Sequence, residues 1–161
     1  MTTMPAQRPG QSEQTVGTPP ELLTAMERRG WDTAFDLAAT EQNRVRQVPW
    51  FGPGSPHGED SLAQDWHKLD GLLWCNPPFA RIVNWVRKAA HEGDLGARVA
   101  LLVPLSSGNW ADEFVHGVAE VWALNPRLTF VGHKSPYPKD MMLCLYGHDR
   151  KIGFGIWRWK P

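Results

Sequence analysis

The segment Leu72-Leu73-Trp74-Cys75 is apolar without alternation and stops abruptly at Asn76-Pro77-Pro78-Phe79. A strand with no polar positions must be covered on both faces, which is the pattern of a central strand in a largely parallel sheet. Two consecutive prolines then remove two backbone N–H groups and fix two φ angles, so the exit is stiff and carbonyl-rich. Beyond it Phe79, Ile82, Val83, Val86 and Ala90 recur with helical spacing, with Arg81, Asn84 and Lys88 on the other face. Gly93 and Gly96 are expected to end that helix.

The remaining segments extend the alternation of strand and helix. Residues 33–38 read as a short buried strand ending at an acid, Asp36, and residues 98–103 as a second buried strand closed by Pro104. A helix is expected over 110–118, and strands over 120–124, Met141–Tyr146 and 154–159, the last at an edge. Upstream, Thr18-Pro19-Pro20-Glu21 has the form of a capping box opening a helix with the stripe Leu22, Leu23 and Met26, stopped by Gly30. Residues 49–60 hold three Pro and three Gly and read as a loop, followed by a helical turn over 61–66 capped by Asp60. Residues 1–17 lack periodicity and read as a flexible tail. The expectation is an α/β fold: a mixed, mostly parallel sheet with helices on both faces, in a single domain over 18–161.

Composition bounds the function. The 161 residues carry 17 Lys+Arg against 17 Asp+Glu, so bulk positive charge cannot hold this chain on nucleic acid, although a local basic strip can. Cys75 and Cys144 lie far apart in apolar surroundings and read as buried free thiols, and the six His show no ligand spacing, so no metal is assigned. The longest apolar run is too short to span a membrane, and a cytoplasmic protein is expected. Nine Trp are more than a core of this size requires; Trp74 and Trp85 are expected to pack the sheet beside the Asn76 turn.

Ligands of open α/β sheets bind at the carboxyl ends of the strands, so Asp36, the Asn76–Phe79 turn and Pro104-Leu105-Ser106 should converge. An Asn oxygen beside a proline-flanked carbonyl presents two acceptors suited to the two hydrogens of an exocyclic NH₂ group. The following aromatic ring offers a face for a flat base. A rigid strand terminator is the plainer reading of the same four residues.

The chain resembles the phage-type DNA adenine-N6 methyltransferases, whose catalytic tetrapeptide is [DNS]-P-P-[YFW]. The resemblance is carried by Thr18-Pro19-Pro20-Glu21-Leu22-Leu23, Phe35-Asp36-Leu37-Ala38-Ala39 with Asn43, and Asp60-Ser61-Leu62 with Asp65-Trp66. It continues through Trp74-Cys75-Asn76-Pro77-Pro78-Phe79, Trp85 with Lys88-Ala89, Leu101-Leu102-Val103-Pro104 and Arg127-Leu128-Thr129-Phe130. It implies a Rossmann-like class I methyltransferase fold, S-adenosyl-L-methionine as cofactor, and double-stranded DNA as substrate in a bacterial host carrying the phage or prophage. It also implies a catalytic loop of Asn76, Pro77, Pro78 and Phe79. In that loop Asn76 and the Pro77 carbonyl hold the adenine N6 hydrogens and Phe79 stacks on the flipped base. Cofactor contacts are implied for Thr18, Pro19, Asp36, Ala38, Asp60 and Asn76.

Two departures matter. Many amino-methyltransferases have a glycine-rich turn after the first acid, whereas residues 36–43 contain no glycine. The 161 residues also leave little room for a separate target-recognition domain, so readout is expected to come from residues 49–57, from residues 132–140, or from a partner subunit in a homodimer. Alternative functions are methylation of RNA or of a protein glutamine, and a catalytically silent binding module. Arg44, Arg46, Arg81, Arg87 and Lys88 form either a DNA-facing strip or a solvated helix face. Trp157 and Trp159 alternate with Arg158 and Lys160, a pattern that suits either phosphate contact or a charge-protected edge.

Overall fold

The structure, a computed structural model, describes residues 17–161; all of the expected tail except Gly17 lies outside them. The chain order is α1 (Pro20–Arg28), β1 (Thr33–Asp36), β2 (Leu72–Cys75), α2 (Ile82–Asp94), β3 (Arg98–Pro104), α3 (Asn109–Phe114), β4 (Glu120–Asn125), β5 (Met141–Tyr146) and β6 (Gly153–Arg158). Short 3₁₀ turns occupy Val45–Gln47, Ser61–Ala63, Trp66–Lys68 and Phe79–Arg81.

The strands form one sheet in the order β1-β2-β3-β5-β4-β6. Five run in the same direction, and β5 alone is reversed between β3 and β4. This is the mixed, mostly parallel sheet the sequence predicts, with β6 at the expected edge. The continuous apolar runs sort by parity. Leu73, Cys75, Val99, Leu101, Val103, Met142 and Cys144 face α2 and α3, while Leu72, Trp74, Ala100, Leu102, Met141, Leu143 and Leu145 face α1. Each large aliphatic side chain buried this way contributes about 1.5–3 kcal/mol, which is why β2, β3 and β5 carry no polar residue in their interiors. Both cysteines are buried and free. Trp31, Trp50, Trp66, Trp74, Trp85 and Trp159 are all buried, so most of the indole surplus is structural.

Local elements differ from expectation for identifiable reasons. Helix α1 starts at Pro20 with Pro19 as its cap and no side-chain capping bond, so the Thr18 capping box does not form. A residue preceding proline is pushed out of helical conformation, so Pro19 stays extended and leaves Thr18 too far upstream to cap. Its stop is as expected: Gly30, at φ 76°, donates to the Glu27 carbonyl, and Trp31 donates to that of Met26. In α2 the first turn is 3₁₀, broken at Arg81, and the regular helix begins at Ile82. Gly93 does not end α2. A Cβ there would stand 2.9 Å from the Cβ of Tyr146, so Gly93 lets the helix lie close on β5, and Gly96 at φ 107° turns the chain away. Helix α3 stops at Phe114, not 118, because Val115 leaves helical conformation and Gly117 adopts φ 80°. Residues 61–66 form no single turn, and the Asp60 side chain caps none.

Among the described residues no helix is long and apolar enough to cross a membrane.

Candidate active site

The carboxyl ends of β1, β2 and β3 lie side by side, with Asp36 in register with Trp74 and Cys75 in register with Leu101. The Asp36 carboxylate is 3% exposed, and both its oxygens are engaged. Oδ1 accepts the Ala38 N–H at 3.1 Å, and Oδ2 accepts the Val45 N–H at 3.0 Å. Burial raises its pKa from 3.8 to about 6, against the pull of these two bonds. Its charge also helps burial to push the neighbouring Cys75 thiol well up, so that sulfur is no nucleophile. Asp36 thus closes the loop that follows it. Thr40 and Asn43 close the next turn by reciprocal bonds between their side chains and backbone N–H groups.

This arrangement explains how the turn dispenses with glycine. Residues 49–51 run beside β1: the Asp36 N–H bonds the Pro49 carbonyl, Phe51 bonds Asp36, and Ala39 bonds Phe51. The next residue is Gly52, at φ 149°, where a Cβ would lie 1.8 Å from the Ala39 carbonyl oxygen. The glycine that permits close backbone approach therefore sits on the facing segment.

At the end of β2, Pro77 is buried while Asn76, Pro78 and Phe79 are partly exposed. Among the described residues the Asn76 carboxamide has no hydrogen-bond partner, so its acceptor and donors are available to a ligand. Phe79 forms one wall of a recess of about 610 Å³, shared with Pro104, Phe130, Lys134, Tyr137 and Lys139. Tyr137 packs edge-on against Phe79 at 6.0 Å and against Phe130 at 5.5 Å. The outer rim is exposed and basic, through Lys134 and Lys139. Of the two candidate readout loops, 132–140 supplies this wall; no residue of 49–57 lines it. Phe130 and Tyr137 were not singled out from the sequence as site residues. Their signal was the aromatic and proline content of 130–138, which gains meaning only once β5 folds back beside β3.

The other expected site residues are placed differently. Thr18 and Pro19 are buried at the start of α1, and the adjoining Gly17 carbonyl accepts the Val131 N–H at 3.1 Å, tying this segment to the recess loop. Ala38 is half-buried in the turn that Asp36 closes. Asp60 is exposed beyond the 49–59 loop and does not line the recess.

Of the five cations that read as either a DNA-facing strip or a solvated helix face, three are tied into the fold. Arg44 binds the Glu41, Gln47 and Val48 carbonyls and lies over Trp50, Arg46 pairs with Glu27, and Lys88 pairs with Glu92. Asp65, His67 and Glu92 come together at the far side of α2. Glu92 is occupied there by the His67 N–H at 2.8 Å, His67 Nδ1 at 2.6 Å and Lys88 Nζ at 3.0 Å, while Asp65 pairs with Lys68. The grouping is an ion-pair network that fastens the 66–68 turn to α2.

Residues 7–141 match the family model described as DNA N-6-adenine-methyltransferase (Dam). A DNA N-6-adenine-methyltransferase of Escherichia phage T1 is 26% identical over 113 residues, covering 70% of this chain. The chain spans 45% of the length of that relative. No solved structure matches it. With the Asn-Pro-Pro-Phe turn at the end of a buried strand, beside an aromatic recess with a basic rim, and with the family model matching most of its length, the chain belongs to the DNA N-6-adenine-methyltransferase (Dam) family.

Proposed function

We propose that the protein transfers a methyl group from S-adenosyl-L-methionine to the N6 amino group of adenine in double-stranded DNA, with residues 18–161 forming one Rossmann-like class I methyltransferase domain. The observation that carries this reading is the unpartnered, partly exposed Asn76 carboxamide at the end of β2, in the same Asn-Pro-Pro-Phe turn whose Phe79 walls the recess.

The residues at the strand ends suit such a cofactor. A sulfonium is cationic, and the buried Asp36 carboxylate lies one strand away from Asn76. The Gly52–Ala39 contact keeps the Asp36 loop compact without glycine of its own, which supports an active cofactor turn over a silent module. Thr18, Pro19, Ala38 and Asp60 are the further contacts we assign to it. When bound, the cofactor supplies an electrophilic methyl carbon.

The chain's own residues do the rest. Asn76 Oδ1 and the Pro77 carbonyl each accept one N6–H, which holds the nitrogen lone pair toward the methyl group. Phe79 stacks on the flipped base and excludes water from one of its faces. With the methyl group supplied by the cofactor, Asn76 and the Pro77 carbonyl would hold N6 in place until its surplus proton leaves to solvent. The loop needs no covalent nucleophile, and rate comes from orientation and from acceptors aimed at the developing positive charge on N6.

The test is to incubate the protein with labelled S-adenosylmethionine and unmethylated duplex DNA, digest to nucleosides and identify the product. Label in N6-methyladenine is expected. Asn76→Ala should lower turnover on the order of 10²–10³-fold while cofactor binding by calorimetry stays close to wild type. Label confined to RNA or protein acceptors, or an Asn76→Ala variant of full activity, refutes the reading.

A further inference from the structure

Beside the recess at Phe79 lies a second one, of about 280 Å³, bounded by Leu105, Asn125, Arg127, Asp140 and Ile156. The two adjoin along both bounding segments. Pro104 and Lys139 line the first, and the next residues, Leu105 and Asp140, line the second. The Leu105 N–H joins them by a bond to the Asp140 carbonyl at 2.9 Å. Two sites offset by one residue in this way suit two neighbouring positions on one nucleic-acid strand.

The polar equipment of the second recess is specific. Arg127 Nε lies 2.9 Å from Asp140 Oδ1, and both side chains are about half exposed. Among the described residues no other contact holds the guanidinium, so its two terminal nitrogens are free while Nε fixes its plane. Arginine pinned in this way offers a planar pair of donors, the geometry that matches the O6 and N7 acceptors of guanine in the major groove. The second Asp140 oxygen can accept from the N4 amino group of the paired cytosine. A phosphate fits less well, because the adjacent carboxylate opposes its charge.

Resting on the adenine-methylation reading above, we infer that Arg127 and Asp140 form a specificity site that reads a G·C base pair flanking the target adenine. Asp140 orients Arg127, Arg127 contacts guanine, and Leu105 and Ile156 form the apolar walls of the site. Sequence readout then needs no added domain.

The experiment is single-turnover methylation of a duplex library in which every base pair flanking one adenine is varied. It compares wild type, Arg127→Ala and Arg127→Lys, and a second series in wild type replaces guanine by 7-deazaguanine. Wild type is expected to favour G·C over other pairs at one flanking position by roughly 5- to 150-fold. Deleting N7 should erode that ratio. Arg127→Ala should lose it while ratios at the other positions persist, and Arg127→Lys, whose ammonium can still reach the guanine acceptors but without the fixed fork, should keep only part of it. A wild type indifferent to flanking G·C, or an Arg127→Ala variant that keeps the preference, overturns the inference while leaving adenine methylation intact. Absence of N6-methyladenine from every duplex overturns the underlying reading instead. If Arg127→Ala does not fold, the 7-deazaguanine series decides, since it alters only the DNA.

Discussion

Replacing Asp36 with asparagine removes a buried charge from the end of β1 and leaves its shape. In the folded protein burial raises the Asp36 pKa from 3.8 to about 6 despite two backbone N–H donors. Such a rise corresponds to about 3 kcal/mol between the two protonation states. The folded protein binds this proton more tightly than the unfolded chain. The stabilising contribution of the group is therefore fully present below pH 3.8 and is lost as pH rises through about 6. At neutral pH ionised Asp36 costs folding free energy of that order. The Asp36→Asn variant escapes the cost but keeps one acceptor for two N–H groups, a loss of about 1.5–3 kcal/mol for a bond to a charged group. At pH 7.5 the two effects nearly offset each other, so the variant should unfold in urea within about 1 kcal/mol of wild type. Between pH 7.5 and pH 4 wild type should gain on the variant by about 2.4 kcal/mol. Urea midpoints of both proteins across this range measure the difference, and all titrations shared by the two cancel. A difference that stays flat with pH, or that runs the other way, refutes the buried, proton-binding Asp36.

Gly52→Ala forces a Cβ to 1.8 Å from the Ala39 carbonyl at φ 149°. It should cost roughly 3 kcal/mol, about 6–12 °C in thermal midpoint, and an unchanged melting curve would show that the two segments do not touch. Glu92 is pulled below the ordinary glutamate pKa: burial raises it, and the His67 and Lys88 contacts more than reverse that. Its stabilising contribution is therefore present at neutral pH and lost as pH falls through the acid range. Glu92→Gln should cost about 2 kcal/mol at pH 7 and flatten the acid limb of stability, as chemical denaturation at several pH values will show. Phe79→Ala should weaken DNA binding by roughly 1–3 kcal/mol through lost stacking, while Phe79→Tyr retains it; equal KM values for the alanine and tyrosine variants would argue against a base on that ring.

How much of this could be read from sequence depends on how local each cause is. Strands β2, β3 and β5 were legible because burial on both faces leaves no alternative to continuous apolar residues. The Asn-Pro-Pro-Phe turn was legible because proline acts on its own backbone. The start of α1 was misread because the effect of Pro20 on Pro19 outweighs the capping pattern of Thr18. Gly93 was misread because its role depends on Tyr146, which is distant in sequence. The missing glycine of the Asp36 turn was found at position 52, and no scan confined to residues 36–43 could reach it. The recess was the least legible part, since its aromatic wall is assembled by strand order alone.

The reversal of β5 has a consequence for how such a chain can diversify. Because β4 ends, and β5 begins, at the edge where β1, β2 and β3 end, the segment joining them is a return loop on the rim of the candidate site. A parallel crossover would have carried the chain to the opposite end of the sheet. Residues 126–140 are thus an insertion point, closed at its base by a strand pair whose register is set in the core. Loop length and content can change there at the small entropic cost of a longer closed segment. One reversed strand gives a compact sheet an exchangeable loop beside its candidate site.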